Sequence, residues 1–179
     1  MKKVVYLFAT LVLFAGISLN AQSKISFNGG ANLALPMGSF ADVAGFGFGA
    51  SVGGEMPLAD KITGTASVGY LMFGEKELGA PGFSVKSSFS AIPILVGSKY
   101  ALGDKFYGAA EVGFHLFSSK VTSEVTFFGT TTTSEGTANT TDFTIGVGGG
   151  YMFGKFDVSA KYYLVSDANY LGVRVAYHF

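Results

Sequence analysis

From Ile25 onward the chain alternates, residue by residue, between apolar side chains and small or polar ones. The alternation falls into segments separated by Gly, Pro, Asp and Lys turn signals, the mark of β-strands with two unlike faces. In Ile25–Leu35, Phe27, Ala31, Leu33 and Leu35 share one face, and Asn28, Gly30 and Asn32 share the other. In 45–57, Phe46, Phe48, Ala50 and Val52 oppose Gly47, Ser51 and Glu55. Segments 62–73 and 84–101 keep the rule, with Lys99 on the polar face and Pro93 inside the second of them. Proline cannot donate to a ladder, so a bulge or a locally unpaired position is expected at Pro93. Segments 106–117, 143–153 and 156–164 put Glu111, His115, Asp157 and Lys161 on the polar face. The last, 170–179, sets Leu171, Val173, Val175, Tyr177 and Phe179 against Tyr170, Gly172, Arg174, Ala176 and His178.

Eight such segments predict an all-β fold, an eight-stranded antiparallel transmembrane β-barrel with its apolar face outward. The connections run 36–44, 58–61, 74–82, 102–105, 118–141, 154–155 and 165–169, mostly long ones alternating with tight ones. That rhythm puts the tight turns at one end, together with both chain termini. Each segment supplies the roughly 9–11 residues of a tilted membrane strand. Aromatic residues collect near segment ends: Tyr100, Phe106, Tyr151, Phe153, Phe156, Tyr177 and Phe179 at the turn side, and Phe46, Tyr70, Phe114 and Phe143 at the loop side. Two girdles at the lipid headgroups are expected. Tyr170, at the loop side, falls on the inner face instead.

Composition agrees with burial in lipid. Charged residues make up 13% of the chain, about half the share in soluble domains. There is no cysteine, so an exported chain must hold together without disulfides, as a self-closing ladder can. At the amino terminus Lys2 and Lys3 precede an apolar run from Val4 to Leu19 and then Asn20-Ala21-Gln22. This describes a signal peptide over 1–21, with the barrel domain over 22–179. Removing Lys2 and Lys3 from the twelve basic residues leaves ten against twelve acids, a charge of −2. No net basic attraction for nucleic acid remains.

The carboxy-terminal Tyr177-x-Phe179 resembles the assembly signal of bacterial outer-membrane β-barrels. Taken with eight segments in register, the chain resembles small barrels of the porin-like superfamily, near the OmpX and OmpA barrel-domain group. The Asn-Ala-Gln end of the signal and Ile92-Pro93-Ile94 are similar to Bacteroidetes-type members. The resemblance implies a location in the cell outer membrane, with outer-membrane lipids and lipopolysaccharide around the barrel. It also implies that the barrel-assembly machinery reads Tyr177 and Phe179.

An eight-stranded barrel is just wide enough for side chains to fill. Counted from the turn-side aromatics, Glu111, Lys161 and Arg174 come at similar depth, and a buried ion-pair cluster of these three is expected. Glu55 and Lys99 form a second layer nearer the turns. Mutual neutralisation is the simplest use of such charges; a narrow channel or transporter for ions or small solutes is the alternative. Nothing points to an enzyme: His115 and His178 lack an oriented triad with Ser118 or Ser119. No spacing points to a cofactor or metal. Gly146-Val-Gly-Gly-Gly150 lies within a strand, where small residues make room for bulky neighbours. The connection 118–141 contains β-prone Val121-Thr-Ser-Glu-Val-Thr-Phe-Phe128, so a protruding hairpin is expected there. Such a hairpin could meet an extracellular protein partner; a solvated, variable loop with no fixed partner is the simpler use of the segment. The expected function is therefore a non-enzymatic barrel with a structural or surface-interaction role.

Overall fold

A computed structural model of the chain describes residues 25–80, 83–127 and 130–179. The segment read as a signal peptide lies outside the described residues. The strands are β1 (Ser26–Pro36), β2 (Gly47–Ala59), β3 (Ile62–Ala80), β4 (Phe83–Ala101), β5 (Phe106–Phe127), β6 (Thr130–Phe153), β7 (Phe156–Val165) and β8 (Tyr170–His178). A short helix, α1 (Phe40–Val43), interrupts the β1–β2 connection. Each strand pairs antiparallel with the next, and β8 pairs back onto β1 to close the barrel.

The alternation decides which way each side chain points, and the register confirms it. Phe27, Leu33, Phe48, Val52, Val68, Ile94, Val112, Ile145, Val147 and Val175 are exposed on the outside of the barrel. Asn28, Glu55, Lys99, Glu111, His115, Thr144 and Asp157 are buried inside it. A surface so rich in exposed large apolar residues suits lipid, not water. At the tight-turn end six rings touch in a row, Phe106–Tyr151–Phe153–Phe156–Tyr177–Phe179, with successive centroids 4.7 to 6.3 Å apart. At the loop end Phe114 and Phe143 pair at 5.8 Å. Tyr170 departs from that girdle as its register requires and is buried within.

The tight turns use the chemistry their geometry demands. Gly154 takes a φ of 61° between β6 and β7, where a two-residue hairpin needs a left-handed residue. Around Pro93 the strand carries no bulge. The β3 ladder skips Gly69 and Tyr70 opposite it and resumes in the same register at Leu71, while Pro93 stays aligned with His115 on β5.

Two connections continue the strands, one expected to be a loop and one expected to be a hairpin. Residues 74–80 continue β3 after an irregularity between Phe73 and Lys76, and they pair with β4 as far as Ala80 and Phe83. Above Leu116, β5 and β6 stay paired up to Phe127 and Thr130, realising the expected hairpin. Strands β3 to β6 therefore project beyond the barrel as one sheet. On its outer surface the apolar residues stop: Ile92 gives way to Ser90 and Ser88, Leu116 to Ser118 and Lys120, and Phe143 to Thr141 and Asn139. That change marks the edge of the lipid-facing belt.

Candidate functional site

The interior is built in layers. Nearest the tight turns, Lys99 Nζ lies 2.7 Å from Glu55 Oε1 and 2.5 Å from Asp157 Oδ2. Tyr107 donates to Asp157 Oδ1 at 2.6 Å, and Asn28 Nδ2 donates to Glu55 at 3.0 Å. His178 Nε2 stands 3.8 and 3.7 Å from the same two carboxylates. Glu55, Asp157 and His178 bring potential ligand atoms within 4.8 Å of one another. The Lys99 ammonium already occupies the space between the two acids, so the group reads as an ion-pair cluster and not as a metal centre.

Farther up, Lys161 Nζ meets Glu111 Oε2 at 2.6 Å and the Tyr163 hydroxyl donates to Oε1 at 2.5 Å. Arg174 does not join them, which corrects the three-residue cluster read from depth alone. Its Nε donates to Ser51 Oγ at 2.8 Å and its Nη2 to Asn28 Oδ1 at 2.7 Å. Through Asn28 it attaches to the Glu55 layer instead. Three acids and three bases thus balance one another in a narrow lumen, where an unpaired charge is costly. Sequence reasoning placed Asp157 on the inner face but not in the cluster, and it missed the roles of Asn28, Tyr107 and Tyr163. The small residues between them are the signal: a Cβ on Gly150 would lie 2.5 Å from Tyr107 Cζ, and one on Gly146 2.8 Å from Tyr163 Cε1. A cavity of about 70 Å³ remains among these polar groups, room for a few waters.

Above the ions the filling turns apolar. Tyr163 stacks on Tyr170 at 4.6 Å, and Tyr170 meets the edge of Phe73 at 6.1 Å. Helix α1 drops Phe40 onto Phe73, Phe89 and Phe117, at 5.0, 5.5 and 6.3 Å. Ala34, Ala44, Leu71, Ala91 and Val165 complete this buried cluster. Phe40 plugs the loop-side mouth.

The projecting sheet has two unlike edges. The base of its β3 edge is covered by the β1–β2 connection: Gly45 and Gly74 pair through their backbones, and the side chains of Lys76 and of Ser87 on β4 donate to Ala41 O and Val43 O. Among the described residues the β6 edge is bare. Pairing of β6 with β7 begins only at Thr144 and Val165, so residues 130–143 are laddered to β5 alone. Lys120 and Glu135 pair across that hairpin at 3.1 Å in an exposed position.

No family model and no curated protein matches the sequence. Solved structures do match its shape. The attachment invasion locus protein Ail of Yersinia pestis aligns at a TM-score of 0.58 and 13% identity, covering 87% of this chain and 97% of that one. The amino-terminal β-barrel domain of Pseudomonas aeruginosa OprF aligns at 0.54 and 15%, over 88% and 100% of the two chains. A major outer membrane protein of Thermus thermophilus aligns at 0.55 and 14%, over 87% and 99%. The chain has the outer-membrane β-barrel fold. Fold and exposed apolar belt together support the outer membrane as the location of this barrel. They give no support to a Bacteroidetes lineage.

Proposed function

We propose that this outer-membrane barrel is a non-catalytic surface protein that binds an extracellular protein partner along the bare edge of β6. The observation that carries the reading is the long open edge of the projecting sheet: residues 130–143 of β6 ladder to β5 alone, whereas the β1–β2 connection covers the base of the β3 edge. An open strand offers a row of unpaired N–H and C=O groups, which an extended segment of another protein can ladder onto. Ail, whose name describes attachment and invasion, has a barrel of similar shape; that likeness adds plausibility to a surface role and specifies no partner.

The rest of the molecule serves to hold that sheet. Lipids and lipopolysaccharide border the apolar belt, with Ser88, Ser90, Ser118 and Lys120 facing the headgroup and sugar region just above it. Tyr177 and Phe179, exposed on the outside of β8, act as the signal for the barrel-assembly machinery. The narrow-channel alternative draws less support, because the ion-pair layers and the Phe40 plug fill the lumen in series.

The test uses prolines at Thr137 and Ala138 on the protein displayed on cells, with adhesion and partner capture as readouts. Neighbouring amides in a strand point to opposite sides, so only one of the two prolines blocks the free side. Loss of binding in that variant, with heat-modifiable migration kept, is the expected result. Full binding after deletion of residues 121–139 would overturn the proposal.

A further inference from the structure

His115 takes no part in the ion network. It is completely buried, and it sits among rings instead of charges. Its imidazole stacks on Phe117 at 5.6 Å and meets the edges of Tyr163 and Tyr170 at 6.0 and 5.7 Å. Nε2 lies 2.8 Å from the Tyr170 hydroxyl, whereas Nδ1 has no hydrogen-bond partner. Two ring paths lead from it to the plug. One runs through Tyr170 and Phe73 to Phe40, the other through Phe117 to Phe40.

Two carboxylates, Glu111 and Asp142, lie within electrostatic reach of it, but neither forms an ion pair or hydrogen bond with the ring. On its own strand Glu111 is bound by Lys161 and Tyr163. On β6 Asp142 is the Cα partner of His115, and it accepts a hydrogen bond from Thr140 at 3.0 Å. Strands β7 and β8 bring the hydroxyls of Tyr163 and Tyr170. From β4 comes its Cα partner Pro93, and the buried cluster toward the loop-side mouth brings apolar side chains from β3, β4 and α1, Leu71, Phe73, Phe89, Ala91 and Phe40. A neutral imidazole suits this pocket. An imidazolium does not, because burying a cation without a partner is expensive.

We propose that His115 is an acid-sensitive latch beneath the plug: protonation of its ring releases the Phe40 segment from the barrel mouth and lets water reach the imidazolium. At neutral pH the ring keeps the aromatic stack closed. On acidification the plugged state must exclude the proton that the opened state accepts, and linkage then favours opening.

The chain has no cysteine, so a single introduced thiol reports cleanly. Ala44, at the end of the plug segment and within its buried cluster, is 2% exposed, while Val43, one residue earlier, is 37% exposed. The experiment compares labelling rates of Ala44→Cys and Val43→Cys in the full, detergent-refolded barrel with a neutral thiol reagent, from pH 7 down to about pH 4. The ratio of the two rates cancels the shared pH dependence of thiolate chemistry. The expected ratio rises on acidification, approaching about tenfold per pH unit, the slope of one proton. In His115→Phe and His115→Asn backgrounds it stays flat. A ratio that does not move with pH in the His115 background would overturn the latch, and so would an equal rise in His115→Asn. Both outcomes are independent of partner binding at β6.

Discussion

Lys99 Nζ lies 2.5 Å from Asp157 Oδ2, joining residues 58 positions apart on β4 and β7, strands that do not pair with each other. The contact crosses the lumen, so it ties together walls of the barrel three strands apart. Lys99→Met would leave Glu55 and Asp157 facing each other without their cation, a loss of about 3–5 kcal/mol for a broken buried pair. Adding Asp157→Asn to Lys99→Met removes one of the stranded charges and should recover part of that loss. Urea unfolding in detergent measures both. Equal stability of Lys99→Met and wild type would mean that the network is solvated.

Gly150 sits against Tyr107, and the space is already taken. Gly150→Ala is expected to lower refolding yield, because the clash falls on a ring held by its hydrogen bond to Asp157. The overpacking cost is about 1–3 kcal/mol. Tyr107→Leu in the same chain should relieve part of it, because the added Cβ also meets Val158 O at 2.8 Å, and Asp157 then loses a donor. Heat-modifiable migration of the three proteins reads the outcome.

The edge of the apolar belt can be located with arginines. Ile94→Arg places a charge in the middle of the exposed apolar face of β4, where about 2–4 kcal/mol is expected. Ser88→Arg on the same face, above the change from apolar to polar residues, should cost close to nothing. Similar costs at both positions would show that the belt reaches higher than Ile92.

Ionic conductance tests the filled lumen. Wild-type protein in a planar bilayer at neutral pH is expected to be silent, and so is Phe40→Ala, because the ion-pair layers below the plug remain. Glu111→Ala, which frees Lys161 and Tyr163, is expected to be silent while the plug holds. Steady single-channel steps from the wild type would favour the narrow-channel alternative.

The strand count, the closure and the facing of nearly every residue are legible in a period of two, because lipid outside and a narrow lumen inside tolerate opposite side chains. The pairing of the charges is not. Counting from strand ends puts Arg174 level with Glu111, but the paired rows of a closed barrel run staggered. Glu111 is in line with Gly146, Tyr163 and Tyr170, whereas Arg174 is in line with Ser159 and Asn32. Four positions separate Tyr170 from Arg174 along β8, enough to put the guanidinium beside Ser51 and Asn28. The plug escapes notice for another reason. Helix α1 has four residues, too few to show a helical period, and Phe40 stands in a connection that also holds Met37 and Val43, so nothing in the sequence singles it out as the buried one. Residues 74–80 read as loop because strands above the lipid no longer need an apolar outer face.

The measurement that bears most directly on the whole account is gel mobility of the refolded protein with and without boiling, alongside fractionation of cells that express it. A closed barrel in lipid predicts a mobility shift on boiling and recovery in the outer-membrane fraction. Unchanged mobility with recovery in the soluble periplasm would contradict it and turn the apolar belt into a surface that something other than lipid must cover.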